Sequence, residues 1–145
     1  MKRLYIIFLG LLFCYSLSYG VDNEDCLTCH EDKTSGAPLI NKASFSTSVH
    51  GKNACDSCHK DIEEYPHPKK SSPISCETCH RAKADLFLNS DHGKKIVEIL
   101  SGPKICLSCH GEAHSLRNSK DKTSPVNRKN TIGTCNSCHI KKTMD

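Results

Sequence analysis

The chain has 145 residues, a length typical of one domain, and a formal net charge of +4. Beyond residue 20, Leu, Ile, Val and Phe make up 21 of 125 residues, or 17%, below the level of about 20% expected of a self-sufficient hydrophobic core. This composition excludes an ordinary globular enzyme with its own core, and the weak, interspersed charge gives no support for nucleic-acid binding. The chain is therefore either disordered or folded around a component that it does not encode.

The first twenty residues have the pattern of a secretory signal peptide. Lys2 and Arg3 precede an apolar run from Leu4 to Leu17, and Ser18-Tyr19-Gly20 places small residues before the cleavage point. The run, about 14 residues, is shorter than the roughly 20 that a spanning helix needs. We therefore predict cleavage before Val21 and an exported, periplasmic product, with an uncleaved membrane anchor as the alternative.

Five copies of Cys-x-x-Cys-His follow, and they contain ten of the eleven cysteines. This motif is the attachment signature of c-type haem. Two thiols three residues apart can each form a thioether to one of the two porphyrin vinyl groups, and the adjacent histidine then lies beneath the ring. The predicted thioether cysteines are Cys26 and Cys29, Cys55 and Cys58, Cys76 and Cys79, Cys106 and Cys109, and Cys135 and Cys138. The predicted proximal iron ligands are His30, His59, His80, His110 and His139.

Zinc ribbons, disulfides and a redox Cys-x-x-Cys are competing interpretations of these cysteine pairs. Zinc ribbons do not need a histidine directly after every pair, and disulfides would not explain the five histidines. A redox motif occurs once per domain on a βαβ unit, and no such pattern is present. Five identical motifs therefore predict five covalently bound haem c groups as the cofactors.

Four further histidines lie one in each gap between successive motifs. Because imidazole suits iron, we expect each of them to be the distal ligand of a haem; they are His50, His67, His92 and His114. A helix running through His110 and His114 would place both imidazoles on one face. Axial ligands approach iron from opposite sides, so His114 should serve a different haem from His110.

Four distal histidines cannot serve five irons. No histidine follows His139 in the sequence, so we expect the motif at 135–139 to lack a histidine partner. Met144, the one methionine beyond residue 20, is a candidate sixth ligand, and a frayed tail is the alternative placement for it. Lys141 and Lys142 are further candidates.

An internal repeat suggests duplication. Residues 45–52 and 87–94 share the pattern Phe-x-x-Ser-x-His-Gly-Lys. We interpret the chain as a signal peptide over 1–20 and one pentahaem domain over 21–145, with duplicated dihaem units at about 26–59 and 76–110 and a fifth motif at 135–139. A short helix is predicted from Lys95 to Leu100. The predicted fold is mostly irregular with short α-helices, the haems forming the core, and little or no sheet.

The repeated motifs, the Ser-x-His-Gly-Lys elements and the gap histidines resemble those of the low-potential multihaem c-type cytochromes. This group includes the class III proteins with doubled Cys-x-x-Cys-His arrangements and the periplasmic pentahaem electron donors. The resemblance covers nearly all of the chain beyond residue 20, although a fifth spare histidine is lacking. It implies a mostly bis-histidine periplasmic electron carrier.

The expected partners of such a carrier are redox proteins, such as a membrane quinol dehydrogenase or a terminal reductase, and not nucleic acid. Two alternatives remain open at this point. One is a small-oxyanion reductase that uses a five-coordinate haem at 135–139. The other is a subunit of a larger conduit, assembled with other multihaem cytochromes.

Overall fold

The computed structural model describes residues 22–67 and 71–139, and within them it contains short helices and no strand. The predicted fold class, short helices in a largely irregular chain without sheet, is therefore confirmed for this part of the chain. The predicted signal peptide, Met144 and the two lysines beside it lie outside the described residues. The helices are α1 (Asn23–His30), α2 (Lys42–Ser46), α3 (Glu77–Leu88), α4 (Asp91–Ile96), α5 (Lys104–His110) and α6 (Thr131–His139), with 3-10 turns at Cys55–Ser57 and Ala113–Ser115.

Side-chain caps explain where several helices begin. The Asp22 carboxylate accepts a hydrogen bond from the backbone N–H of Glu24 and starts α1. Ser90 accepts from the N–H of Gly93 at 3.0 Å and starts α4. The prediction of a helix over 95–100 was wrong in its bounds, because this serine cap begins the helix four residues earlier and α4 ends at Ile96.

Very little of the described chain forms a hydrophobic core. Leu27 and Ile96 are the only large apolar side chains buried there, each 6% exposed. Other large apolar side chains lie open to solvent, and Leu86, Ile99 and Ile132 are each more than 70% exposed. Most large apolar side chains of the described residues are therefore not packed in a core. The low apolar content of the sequence predicts this result.

The two sequence repeats form the same hydrogen-bonded turn. The N–H of Ser48 donates to the carbonyl of Phe45 at 2.9 Å, and the N–H of Ser90 donates to the carbonyl of Phe87 at 2.9 Å. Each turn follows directly on a helix, α2 in the first repeat and α3 in the second. The repeat is therefore a local scaffold that presents one histidine, His50 or His92, after a helix end.

The glycine of each repeat is required by a close backbone approach. A Cβ added at Gly51 or at Gly93 would overlap the carbonyl oxygen of the repeat's own phenylalanine. Any side chain there would push the histidine-bearing turn away from the preceding helix. The glycine of the His-Gly-Lys sequence thus has a steric reason in both copies.

The loop over 117–130 is irregular but internally braced. Ser124 is fully buried, and its carbonyl accepts from the side-chain amide of Asn130 at 2.9 Å. The side-chain amide of Asn127 donates to the carbonyl of Ser119 at 2.9 Å. These bonds hold the loop in one conformation between the 3-10 turn at Ala113–Ser115 and α6.

None of the described helices is long and apolar enough to cross a membrane.

Candidate functional site

All five Cys-x-x-Cys-His motifs form a helical turn. The helices α1 and α5 end at their motif histidine, and α6 is described as far as its own, His139. In α3 the backbone leaves helical geometry at His80 (φ −107°, ψ 31°). In the second motif the N–H of His59 donates to the carbonyl of Cys55 at 3.0 Å and closes the turn. One turn of helix places residues three apart on the same side, so each motif presents two thiols together.

The cysteines are thiols in this structure. None of the ten described cysteines forms a disulfide, and they range from part-buried to exposed. The described residues also contain no cluster of three or more His, Cys, Asp or Glu side chains arranged for a metal ion. The thiols thus remain as five motif pairs, each next to its own histidine in the sequence.

Eight of the nine histidines form four ring pairs. The distances between ring centroids are 5.9 Å for His30–His67, 6.0 Å for His59–His114, 5.9 Å for His50–His80 and 6.3 Å for His92–His139. Every pair joins one motif histidine to one spare histidine. Ordinary ring contacts would not select partners in this way, so the selection points to a shared role for the two members of each pair.

These distances fit an iron atom between the two rings. A metal–imidazole bond is about 2.0–2.1 Å. A five-membered ring with bonds of about 1.35 Å places its nitrogen about 1.15 Å from its centre. Two imidazoles on opposite sides of one iron therefore have centroids about 6.3 Å apart, close to all four observed distances. The residues present thus fit haem irons with two histidine ligands.

The pairing interleaves distant parts of the chain. His114 lies beside His59 and not beside His110. A single helix does not run through both: α5 ends at His110, Gly111 has φ +91°, and His114 lies in a separate 3-10 turn. The physical cause is the glycine, whose left-handed conformation redirects the chain at the helix end.

The surroundings of two paired rings suit metal binding. The Nδ1 of His30 donates to the carbonyl of Pro38 at 2.7 Å, so Nε2 is the ring nitrogen that a metal could use. Crowding by neighbouring atoms desolvates His114 and, with the nearby rings of His59 and His30, holds its pKa below the usual value. A metal binds imidazole only when the ligating nitrogen is unprotonated, so both effects suit metal binding.

The phenylalanines of the two repeats each contact a spare histidine edge to face. Phe45 lies 6.1 Å from His114, and Phe87 lies 6.0 Å from His92, centroid to centroid. Such contacts fix the orientation of an imidazole at little entropic cost. Each repeat therefore supplies a histidine and also a phenylalanine ring that packs against a spare histidine.

The first cysteines of neighbouring motifs meet. The thiols of Cys26 and Cys55 lie within hydrogen-bonding reach, and burial, followed by the neighbouring Cys26, raises the pKa of Cys55 to about 11. Cys76 and Cys106 repeat this contact, and burial again raises the pKa of Cys106. Motifs one and two thus adjoin in the same way as motifs three and four, as a duplicated two-motif unit would.

The fifth motif differs from the sequence-based expectation. We expected 135–139 to lack a histidine partner, yet the ring of His92 lies 6.3 Å from that of His139. His110 takes part in none of the four ring pairs. Proximity in sequence was the misleading signal, since His92 precedes His139 by 47 residues. The repeat itself was a usable signal. His50 follows motif one and pairs with the histidine of motif three, and His92 follows motif three and pairs with the histidine of motif five.

Comparison with models of protein families, with curated proteins and with solved structures gave no match to this chain.

Proposed function

We propose that this chain is a periplasmic electron carrier that binds five c-type haems covalently. The observation that supports the proposal most strongly is the selective pairing of four motif histidines with four spare histidines at the separation that an intervening iron requires. The five paired thiols and the scarcity of a self-made core add to it.

The cysteines and the histidines of the chain would have different roles in binding haem. The cysteine pairs hold each porphyrin covalently, so retention does not depend on a deep pocket. The paired histidines would hold the irons of four haems between them and would leave no room for a substrate on those irons. Bound haem supplies a one-electron couple whose potential depends on axial ligands, burial and nearby charge.

Close spacing of the attachment points supports transfer between haems. Five haems in the 125 residues beyond position 20 would leave one haem for every 25 residues. The contacts of Cys26 with Cys55 and of Cys76 with Cys106 bring neighbouring attachment sites together. Electrons would then pass along adjacent rings from one partner to another.

The first test concerns the pairing of His50 with His80. We expect the mature wild-type protein to carry the mass of five haems and His50→Ala to keep all five, because no thioether is removed. The alanine variant should gain one high-spin ferric haem, since one iron loses its sixth ligand. Mass spectrometry and electron paramagnetic resonance would measure the two effects.

His50→Met provides the matched control. A thioether ligand should restore the low-spin state and raise the potential of that one haem in a redox titration, because His/Met ligation favours the reduced iron. A colourless, haem-free yet folded wild-type protein would contradict the proposed function. An unchanged spectrum of His50→Ala would contradict the assignment of His50.

The loop over 117–130 is the most basic part of the chain and suggests how a partner docks. It carries five basic side chains and one acidic side chain, whereas the remaining residues from 21 onwards carry two more acidic than basic ones. Lys120, Lys122, Arg128 and Lys129 are exposed on a braced backbone. Haem propionates would make the rest of the molecule more acidic still. We therefore propose that redox partners dock here through an acidic surface.

Reversing charge on this loop should slow reaction with anions. We expect the double variant Lys122→Glu/Lys129→Glu to lower the rate of oxidation of the reduced protein by hexacyanoferrate(III) by about tenfold at low salt, with the difference disappearing as salt rises. Stopped-flow spectroscopy would measure it. The exposed pair Lys33→Glu/Lys83→Glu makes the same charge change elsewhere, and an equal effect there would rule out a special role for the loop.

The alternative functions are supported less well. A reductase at 135–139 would need an open iron there, and the position of His92 beside His139 does not favour one. A subunit of a larger conduit would take its missing ligand from another chain, so its binding of carbon monoxide would fall as protein concentration rises.

A further inference from the structure

His110 is the one motif histidine without a histidine opposite it. All nine histidines of the chain lie among the described residues, and eight of them form the four pairs. Each spare histidine is thus already beside a different motif histidine. No histidine of the chain is left for the motif at 106–110.

The structure shows why the nearest spare histidine does not serve this motif. Gly111 turns the chain away after α5, and a Cβ there would lie 3.3 Å from Cγ of Pro125, so the turn packs against the braced loop. Beyond the turn, the carbonyl of Leu116 accepts from the N–H of Val49 at 2.9 Å. That bond anchors the segment carrying His114 beside the first repeat, where its ring meets His59.

The motif at 106–110 is nevertheless built like the others. Its two cysteines lie on the last turns of α5, and its first cysteine meets Cys76 of the neighbouring motif. A haem attached there would have His110 on one side and no histidine on the other. Iron with one protein ligand in the axial direction binds small molecules on its open side.

We propose that the haem attached to Cys106 and Cys109 is held by His110 alone and binds a small diatomic ligand on the opposite side. This inference rests on the proposed function, because it assumes haem attachment at that motif. It places the exchangeable position at motif four, not at motif five.

Carbon monoxide is the probe for this site. The purified, mature holoprotein, reduced with dithionite, should bind one CO per five haems, and the oxidised protein should show one high-spin haem. His92→Ala should bind two, because a second iron opens at His139. The double variant Cys106→Ser/Cys109→Ser, which lacks the motif-four haem, should bind none.

Other outcomes would overturn the inference. Five low-spin haems without CO binding would mean that another side chain, such as Lys141, Lys142 or Met144, is the sixth ligand of the iron. Retention of CO by the Cys106→Ser/Cys109→Ser variant would place the open iron elsewhere. Loss of CO binding as protein concentration rises would mean that a second chain supplies the ligand. Failure of the proposed function itself would look different, since the wild-type mass would then show no haem.

Discussion

Replacing both Cys55 and Cys58 with serine should remove one haem and unfold much of the protein. The same double substitution at Cys106 and Cys109 should also remove one haem but leave most of the fold intact. The difference is expected because the two haems would connect different amounts of chain. The motif-two haem would join His59 to His114, whereas the motif-four haem would be held from one place only.

The reason lies in how the proposed axial bonds overlap along the chain. The four histidine pairs would each close a loop of the chain. The loop over 59–114 overlaps the loops over 30–67 and 50–80, and it also overlaps the loop over 92–139. Without it, residues 30–80 and 92–139 would no longer be cross-linked to each other. The four loops span 30–67, 50–80, 59–114 and 92–139.

The expected magnitude follows from loop closure. A cross-link that closes a loop of this length stabilises a fold by about 4 kcal/mol relative to the open chain, a large part of the stability of a small domain. Thermal unfolding followed by circular dichroism would measure the loss, with mass spectrometry confirming that each variant lacks one haem. Equal melting temperatures for the two variants would contradict the interleaved pairing.

Gly93→Ala should destabilise the protein by about 1–3 kcal/mol and disturb the haem proposed at motif five. The added Cβ would overlap the carbonyl oxygen of Phe87 and lie 2.7 Å from its carbonyl carbon, so the backbone itself must move. That movement would displace the neighbouring His92 from His139. Thermal unfolding and the appearance of a second high-spin haem, beyond the one proposed at motif four, would measure the two effects.

Gly133→Ala is the matched control for this substitution. Gly133 also lies in a helix, α6, but a Cβ there would meet nothing within 4 Å. Alanine should therefore stabilise α6 by up to about 1 kcal/mol, the usual difference in helix propensity. If Gly93→Ala proved as harmless as Gly133→Ala, the close approach of α4 to α3 would not matter for the position of His92.

Local features of the sequence predicted local structure well. The five motifs identified every turn that presents two thiols and a histidine, and low apolar content predicted a chain with hardly any core of its own. The repeat around residues 45–52 and 87–94 indicated a duplication, and both copies form the same hydrogen-bonded turn. These features depend on contacts within a few residues, such as the serine cap of α4 and the approach of Gly93 to Phe87.

The partners of the histidines were not predictable in the same way. Counting showed that four spare histidines must leave one motif unpaired, but the tail after His139 suggested the wrong motif. The direction of the chain after α5 depends on the left-handed turn at Gly111 and on its packing against Pro125, which is distant in sequence. The position of His92 beside His139 likewise depends on how α3 and α4 pack.

The sequence by itself determined the chemistry that the chain offers: five thiol pairs, five adjacent histidines, four spare ones, and too few apolar residues to fold without help. Only the tertiary structure decided which histidines face each other, and it left His110 rather than His139 without a histidine opposite. The physical reason is that the cysteines and histidine of one motif are three or four residues apart, whereas the paired histidine rings belong to residues 30 to 55 apart, whose meeting depends on the path of the whole chain.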